Sequence, residues 1–89
     1  MNNLKITENE ILEAINRINN KPGLVIGRQS NTYDLVYKGK TYPPILVLSE
    51  ANKIAGGEEL TLASFSNNVE KAFKILRENG FNVVPKLVS

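Results

Sequence analysis

The residues of this chain that could do chemistry are mainly cations and small polar side chains, and they fall in two stretches. The first stretch is a predicted loop and hairpin turn that contains Arg28, Ser30, Lys38 and Lys40. Lysine and arginine neutralise DNA phosphates, and a two-stranded ribbon can enter a groove of the duplex. This stretch therefore predicts a DNA-contacting surface. The alternative is that these lysines are present only because turns are exposed to solvent.

The second stretch lies at the start of a predicted third helix and contains Ser66, Asn67, Asn68 and Lys71. Free backbone N–H groups and the helix dipole favour an anion there, and asparagine side chains can pair with adenine edges. The alternative is helix capping, which we expect for at least one of Ser66 and Asn67.

Three tyrosines could stack on exposed bases, since every base offers a π-face. Tyr33 and Tyr37 share a predicted strand face with Leu35, which favours packing in the core. Tyr42 stands beside Pro43 and is the tyrosine that we expect to be exposed and to contact nucleic acid.

Catalytic chemistry has little support in the residue types. The chain has no Cys and no His, which removes thiolate nucleophiles, imidazole bases and the usual zinc ligands. The carboxylates that could suggest metal-dependent hydrolysis are not clustered: Asp34, Glu50, Glu58 and Glu59. The segment 38–40 lacks the glycine spacing of a phosphate-binding loop. We therefore predict a non-catalytic chain with no metal and no cofactor.

The composition is that of one small globular domain. Residues 1–89 suit a single domain, with 42% hydrophobic and 22% charged residues. The longest aliphatic run is only Ile45 to Leu48, so we expect a cytoplasmic domain without a membrane partner. The net charge of +2 alone does not indicate a nucleic-acid partner. Positive charge nevertheless gathers over residues 22–49, where two lysines and Arg28 outnumber Asp34.

The first predicted elements are a helix and a short strand. A capping box at Thr7 to Glu10 starts the helix. Residues 19–23 end the helix. Its apolar stripe with helical spacing consists of Ile11, Ala14, Ile15 and Ile18. Leu24 to Ile26 is short, apolar and bounded by glycines, which predicts a brief strand before a loop at 28–31.

A hairpin over Tyr33 to Tyr42 then leads into a second helix. Gly39 supplies the positive φ that its turn needs, and Pro44 suits the first helical position. Ile45 to Ala55 is predicted to be helical, and Gly56 and Gly57 end it. This helix is apolar on most sides, so we expect it to be the central buried element.

A third helix and a last strand complete the predicted fold. The helix carries an apolar stripe of Val69, Ala72, Phe73 and Leu76, and Gly80 is placed as its left-handed C-terminal residue. Phe81 to Pro85 predicts a strand of edge character. The fold class is α+β, with three helices, a hairpin and a C-terminal strand. A winged-helix-like arrangement is a variant, although the connector from residue 56 to 66 is long for a helix-turn-helix.

Several short motifs, read in order, resemble a known family. They are the hairpin with Tyr42-Pro43-Pro44, then Gly57-Glu58-Glu59-Leu60, Ser64-Phe65-Ser66, and residues 74–81. In order and spacing they look like the N-terminal head domain of Mcr-type (ScoMcrA-like) HNH endonucleases, which are modification-dependent restriction enzymes. The resemblance is strongest over residues 30–84. It implies a domain of a restriction and defence system that is joined in relatives to readers of modified DNA and to a nuclease.

The chain departs from the family pattern at two places. A Lys usually follows the double proline, where this chain has Ile45, and Gly-Gly-Glu usually follows Phe-Ser, where this chain has residues 67–69. A ligand contact at those positions in relatives would be altered here.

The resemblance and the cations together predict a DNA-binding module that senses modified double-stranded DNA, with a nuclease domain in the same or another chain as its partner. The alternative is a protein-interaction or assembly domain of a restriction system that makes no contact with DNA.

Overall fold

The computed structural model describes residues 6–27 and 33–85. Within these residues the chain forms three α-helices, two 3₁₀-helices and a three-stranded sheet. The helices are α1 (Glu8–Asn20), α2 (Pro44–Ile54) and α3 (Val69–Glu78), and the strands are β1 (Tyr33–Tyr37), β2 (Lys40–Tyr42) and β3 (Asn82–Pro85). The predicted α+β class is confirmed.

Helix α1 begins at the predicted capping box. The backbone N–H of Thr7 donates to Oε1 of Glu10 at 2.8 Å, and the Thr7 hydroxyl donates to the same oxygen. These two bonds lower the pKa of the Glu10 carboxyl below its ordinary value. The apolar stripe of α1 is buried as its spacing predicts, so the helix packs by one face: Ile11, Ala14, Ile15 and Ile18.

The brief strand predicted at Leu24 to Ile26 is wrong. Residues Pro22–Val25 form a 3₁₀-helix instead, closed by a bond from the Ile26 N–H to the Gly23 carbonyl at 3.2 Å. Pro22 fixes φ near the helical value at the first position of this turn, and the local bond outweighs the β propensity of the short apolar run. Ile26 is 80% exposed.

The sheet has the strand order β2-β1-β3, and both pairs are antiparallel. Leu35 at its centre pairs with Tyr42 on one side and with Val83 on the other. Side chains alternate across a strand, so these residues share one face, and all three are buried. The sheet therefore turns this face to the helices, and β3 is an edge strand as predicted.

Helix α2 is the central element, as its composition predicts. It contacts α1, α3 and β1. Its residues from Leu46 to Asn52 are all buried, although Ser49, Glu50 and Asn52 are polar. A helix that is buried on most sides must find hydrogen-bond partners for such polar groups inside the protein.

Two of these polar side chains hold the connection that follows the helix. The Asn52 Nδ2 donates to the Glu58 carbonyl at 2.9 Å, and the Ser49 Oγ accepts from the Leu60 N–H at 2.9 Å. The Gly57 N–H also donates to the Asn52 carbonyl at 2.7 Å. These bonds return the chain to the core, where Leu60 and Phe65 are buried.

Helix α3 ends as its glycine predicts. Gly80 has φ +88, its N–H donates to the Arg77 carbonyl, and the Phe81 N–H donates to the Leu76 carbonyl. These bonds form a Schellman motif, which directs Phe81 into the core at the start of the last strand. The connection between α2 and α3, residues 55–68, is longer than the tight turn of a helix-turn-helix.

The close approach of Gly57 to Asn52 gives a stability prediction. A Cβ at Gly57 would lie 2.5 Å from the Asn52 Nδ2. The amide would have to move and release the Glu58 carbonyl, so Gly57→Ala should lower the free energy of unfolding by about 1–3 kcal/mol. Urea denaturation measures this loss.

The matched control is Gly23→Ala, because an added Cβ at Gly23 meets nothing within 4 Å. In an Asn52→Ala background the side chain that would clash is absent. Gly57→Ala should therefore lower the free energy of unfolding less in that background, and the coupling energy between the two substitutions should exceed roughly 0.5 kcal/mol. Equal losses in the two backgrounds would contradict the role of Asn52.

Candidate nucleic-acid interface

The hairpin turn presents two of the predicted cations. Lys38 and Gly39, its central residues, both have positive φ, +50 and +78, as in a type I′ turn. The sequence predicted this conformation for Gly39 and missed it for Lys38. The Lys38 Nζ lies 5.4 Å from the centroid of the Tyr37 ring, which packs on Phe81. Lys38 is therefore held over an aromatic pair while its residue remains exposed.

Lys40 begins the short edge strand β2 and borders an open groove. The groove has a volume of about 570 Å³ and lies between the hairpin and the end of α1. Its lining residues are Ile18, Asn19, Pro22, Val25, Gly39, Lys40, Thr41 and Tyr42. Lys40 is exposed, and it is the only charged residue in this lining as the structure describes it.

The predicted exposure of Tyr42 is wrong. Tyr42 is only 5% exposed, because it pairs with Leu35 at the centre of the sheet and joins the hydrophobic core. Its hydroxyl donates to the Oδ1 of Asn19 at 3.1 Å. A buried tyrosine ring with a satisfied hydroxyl cannot stack on a base, so Tyr42 can act only by positioning its neighbour.

The polar residues at the start of α3 have structural roles in the local backbone. Asn68 is the N-cap residue, and its Oδ1 accepts from the Glu70 N–H at 3.0 Å. The prediction that Ser66 or Asn67 caps this helix is therefore wrong. Both have positive φ, +56 and +58, because they link the 3₁₀-helix Leu62–Phe65 to α3. Asn67 stands where the family pattern has glycine, and asparagine tolerates this left-handed conformation.

The hairpin turn, which carries the described cations of the first predicted stretch, lies away from the start of α3. Tyr33, at the start of β1, contacts Phe73 with ring centroids 4.9 Å apart, and Tyr37, at its end, contacts Phe81 at 5.7 Å. Helix α3 therefore runs alongside β1 in the same direction. Its first turn, with Asn68 and Lys71, lies away from the hairpin turn. Arg28 and Ser30 lie outside the described residues.

Cations in the described residues differ in whether a carboxylate neutralises them. Arg17 and Lys53 pair with Glu50, and Arg77 pairs with Glu70 at 3.5 Å. Within residues 6–27 and 33–85 no such pair forms at Lys21, Lys38, Lys40, Lys71 and Lys74. On α3, Lys71 and Lys74 alternate with the exposed acids Glu70 and Glu78, whereas the hairpin turn carries lysines alone.

Glu50 is a structural carboxylate that sequence analysis placed only among the possible metal ligands. It is 3% exposed and accepts from Arg17 at 3.2 Å and Lys53 at 3.0 Å. Burial raises the pKa of Glu50, but the hydrogen bonds and charges of Lys53 and Arg17 outweigh burial, so the pKa lies below its ordinary value. This ion pair ties α1 to α2, 33 positions apart in sequence.

The described residues contain no group of three acidic side chains placed to hold a metal ion. No helix among them has the length and apolar character needed to span a membrane.

Comparisons with known proteins agree with the resemblance read from the motifs. The family model described as "ScoMcrA-like, N-terminal head domain" matches residues 4–85. The chain is also similar to a solved structure described as the Type IV phosphorothioation-dependent restriction endonuclease ScoMcrA, with a TM-score of 0.63 and 17% identity. That match covers 96% of this chain and 14% of the solved chain, so it shows the fold of one domain. The search of curated proteins found no match.

The Glu50 ion pair gives a pH prediction. Because its pKa is lower in the folded than in the unfolded chain, its stabilisation is present above the ordinary pKa of 4.5 and is lost as the pH falls through the folded pKa. Glu50→Gln should therefore flatten the acid limb of the stability curve. At neutral pH we expect a loss of about 1 kcal/mol, since Arg17 and Lys53 are each 39% exposed and screened by solvent.

Thermal unfolding followed by circular dichroism between neutral and acid pH measures both effects. Glu13→Gln, at an exposed position on α1, is the control. If Glu50→Gln leaves the acid limb as steep as in the parent, the ion pair does not contribute to stability.

Proposed function

Because the chain belongs to the ScoMcrA-like N-terminal head-domain family, we propose that it is a non-catalytic DNA-binding module of a modification-dependent restriction system. The hairpin turn is the surface that contacts the DNA backbone. Duplex DNA is the partner, and a nuclease domain in the same or another chain supplies the cleavage.

Lys38 and Lys40 are the main support for this proposal. Both residues are exposed, and no described carboxylate pairs with them. Lys38 is the first central residue of the tight hairpin turn, and Lys40 directly follows the turn. A protein that neutralises phosphates with such lysines releases counterions, so its affinity for DNA falls steeply with salt. Phosphate contacts of this kind position a protein on the duplex without reading its sequence.

The start of α3 is a weaker candidate for the primary contact. Lys71 and Lys74 lie on a helix whose exposed face also carries Glu70 and Glu78. Mixed charge of this kind is typical of a solvated helix face. Since α3 begins at the end of β1 away from the hairpin turn, we assign the primary contact to Lys38 and Lys40, and Lys71 then provides a matched comparison.

We further propose that the module senses a DNA modification. It is supported by the family and by the description of the related endonuclease as phosphorothioation-dependent. This chain would then act with neighbouring modules by holding the duplex while a few polar groups sense base or backbone chemistry. The modification could be methylated cytosine, another modified base or a sulfur-substituted backbone, and binding to matched duplexes distinguishes them.

A protein-interaction or assembly domain would instead need an exposed apolar surface. The large apolar side chains exposed in the described residues are Ile26, Leu62 and Val84, and they belong to three separate segments. So few exposed large apolar side chains in the described residues favour the DNA-binding proposal over assembly.

Charge reversal tests the hairpin surface. Lys38→Glu with Lys40→Glu should weaken binding to a labelled duplex by at least roughly tenfold at low salt and should lower the slope of log K against log salt by about 2. Fluorescence anisotropy at several salt concentrations measures both quantities, with unmodified, cytosine-modified and phosphorothioated duplexes of one sequence.

The matched control is Lys71→Glu with Lys74→Glu, which changes the net charge equally at the other end of the domain. We expect it to change the affinity much less. Equal effects of the two double variants would show that only net charge matters. No binding of the parent to any duplex at low salt would favour the assembly function.

A further inference from the structure

The groove beside Lys40 has the chemical character of a site for an anion. Among the lining residues that the structure describes, Lys40 supplies a positive charge and none is a carboxylate. Pro22 and Val25 form an apolar wall, and Asn19 and Thr41 add polar groups. Its volume, about 570 Å³, lies within the range of sites that hold small ligands.

Asn19 is fixed in this groove by a buried partner. The Tyr42 hydroxyl donates to the Asn19 Oδ1 at 3.1 Å, and the tyrosine ring is held in the core. When the amide oxygen accepts this bond, the Nδ2 keeps its two N–H donors. The Asn19 residue is exposed, and within the described residues its Nδ2 has no hydrogen-bond partner. The groove therefore contains a neutral donor whose orientation is set in advance.

Lys40 and Tyr42 are placed together by the strand. They are two residues apart on β2, so their side chains leave the same face. The ring of Tyr42 lies in the core and the ammonium group of Lys40 at the rim. An ammonium group and an amide that line the same groove can both donate to the oxygens of a phosphate group.

We infer that this groove binds one phosphodiester of the DNA backbone, with Lys40 and the Asn19 amide donating to its non-bridging oxygens. Pro22 and Val25 then lie beside the adjoining deoxyribose. Tyr42 is a positioning residue that acts through Asn19. This inference rests on the proposed DNA-binding function and adds to it a defined site and a neutral contact.

The salt dependence of the DNA affinity distinguishes the neutral contact of the Asn19 amide from the cationic contact of Lys40. Removing a lysine that neutralises a phosphate lowers the slope of log K against log salt by about 0.9, whereas removing a neutral donor leaves the slope unchanged. We expect Lys40→Gln to lower both the affinity and the slope. Asn19→Ala should weaken binding roughly five- to tenfold at an unchanged slope, the loss of one hydrogen bond to a charged group at an exposed site.

Tyr42→Phe tests the positioning role. It removes the hydroxyl and keeps the ring, so it should weaken binding in the same way as Asn19→Ala, by a smaller factor and at the parent slope. The double variant Asn19→Ala with Tyr42→Phe should bind no more weakly than Asn19→Ala alone, because the hydroxyl acts only through the amide. Urea denaturation of each variant confirms that the anisotropy is measured on folded protein.

The experiment is fluorescence anisotropy of a labelled duplex with the parent and each variant at four salt concentrations. Lys74→Gln, at an exposed position on α3, is the control and should match the parent in affinity. A parallel titration with inorganic phosphate at constant ionic strength should show binding far weaker than that of the duplex. If inorganic phosphate binds as tightly as the duplex, the ligand of the groove is not a phosphodiester of the DNA backbone.

Duplex binding by the parent and the variants tests the DNA-binding function and the groove site separately. If the parent binds no duplex, the DNA-binding function is wrong and the groove inference with it. If the parent binds and Lys38→Gln weakens binding while Asn19→Ala and Tyr42→Phe bind as the parent does, the groove inference alone is wrong.

Discussion

The burial of α2 on nearly every side is the constraint on which the rest of this structure depends. The helix contacts α1, α3 and the sheet, and its polar residues lie as deep as its leucines. Each buried polar group must be satisfied, and the partners of Ser49, Glu50 and Asn52 outside the helix lie in α1 and in the connection that follows α2. The polar groups of α2 therefore fix both the position of α1 and the course of the following connection.

This constraint also decides where function can reside. A helix enclosed by its neighbours has no face left for a ligand, so the chemically useful side chains lie at the periphery. Within the described residues, the hairpin turn beside the end of α1 and the first turn of α3 are both exposed, and the aromatic contacts along β1 place them apart. The hairpin region combines a groove with lysines that no described carboxylate pairs with, whereas the face of α3 mixes both charges.

The sequence was informative wherever short-range rules decide the structure. The capping box of α1, the hairpin turn, the proline start of α2 and the Gly80 motif all follow from residues within one turn of each other. It failed at Leu24 to Ile26 because three residues cannot separate a strand from a 3₁₀ turn. It also failed at Tyr42, whose burial depends on pairing with Leu35, and no local pattern reveals that its hydroxyl meets Asn19, 23 positions away. The groove itself depends on this long-range contact.

The most direct test of this account is to map the duplex contact residue by residue with backbone and side-chain amide NMR shifts during a titration with a short duplex. We expect the shifts to concentrate at residues 38–42 and at the Asn19 side-chain amide, with little change at residues 66–74. Shifts concentrated at the start of α3, or none at a duplex concentration that saturates binding, would contradict the assignment of the DNA contact to the hairpin.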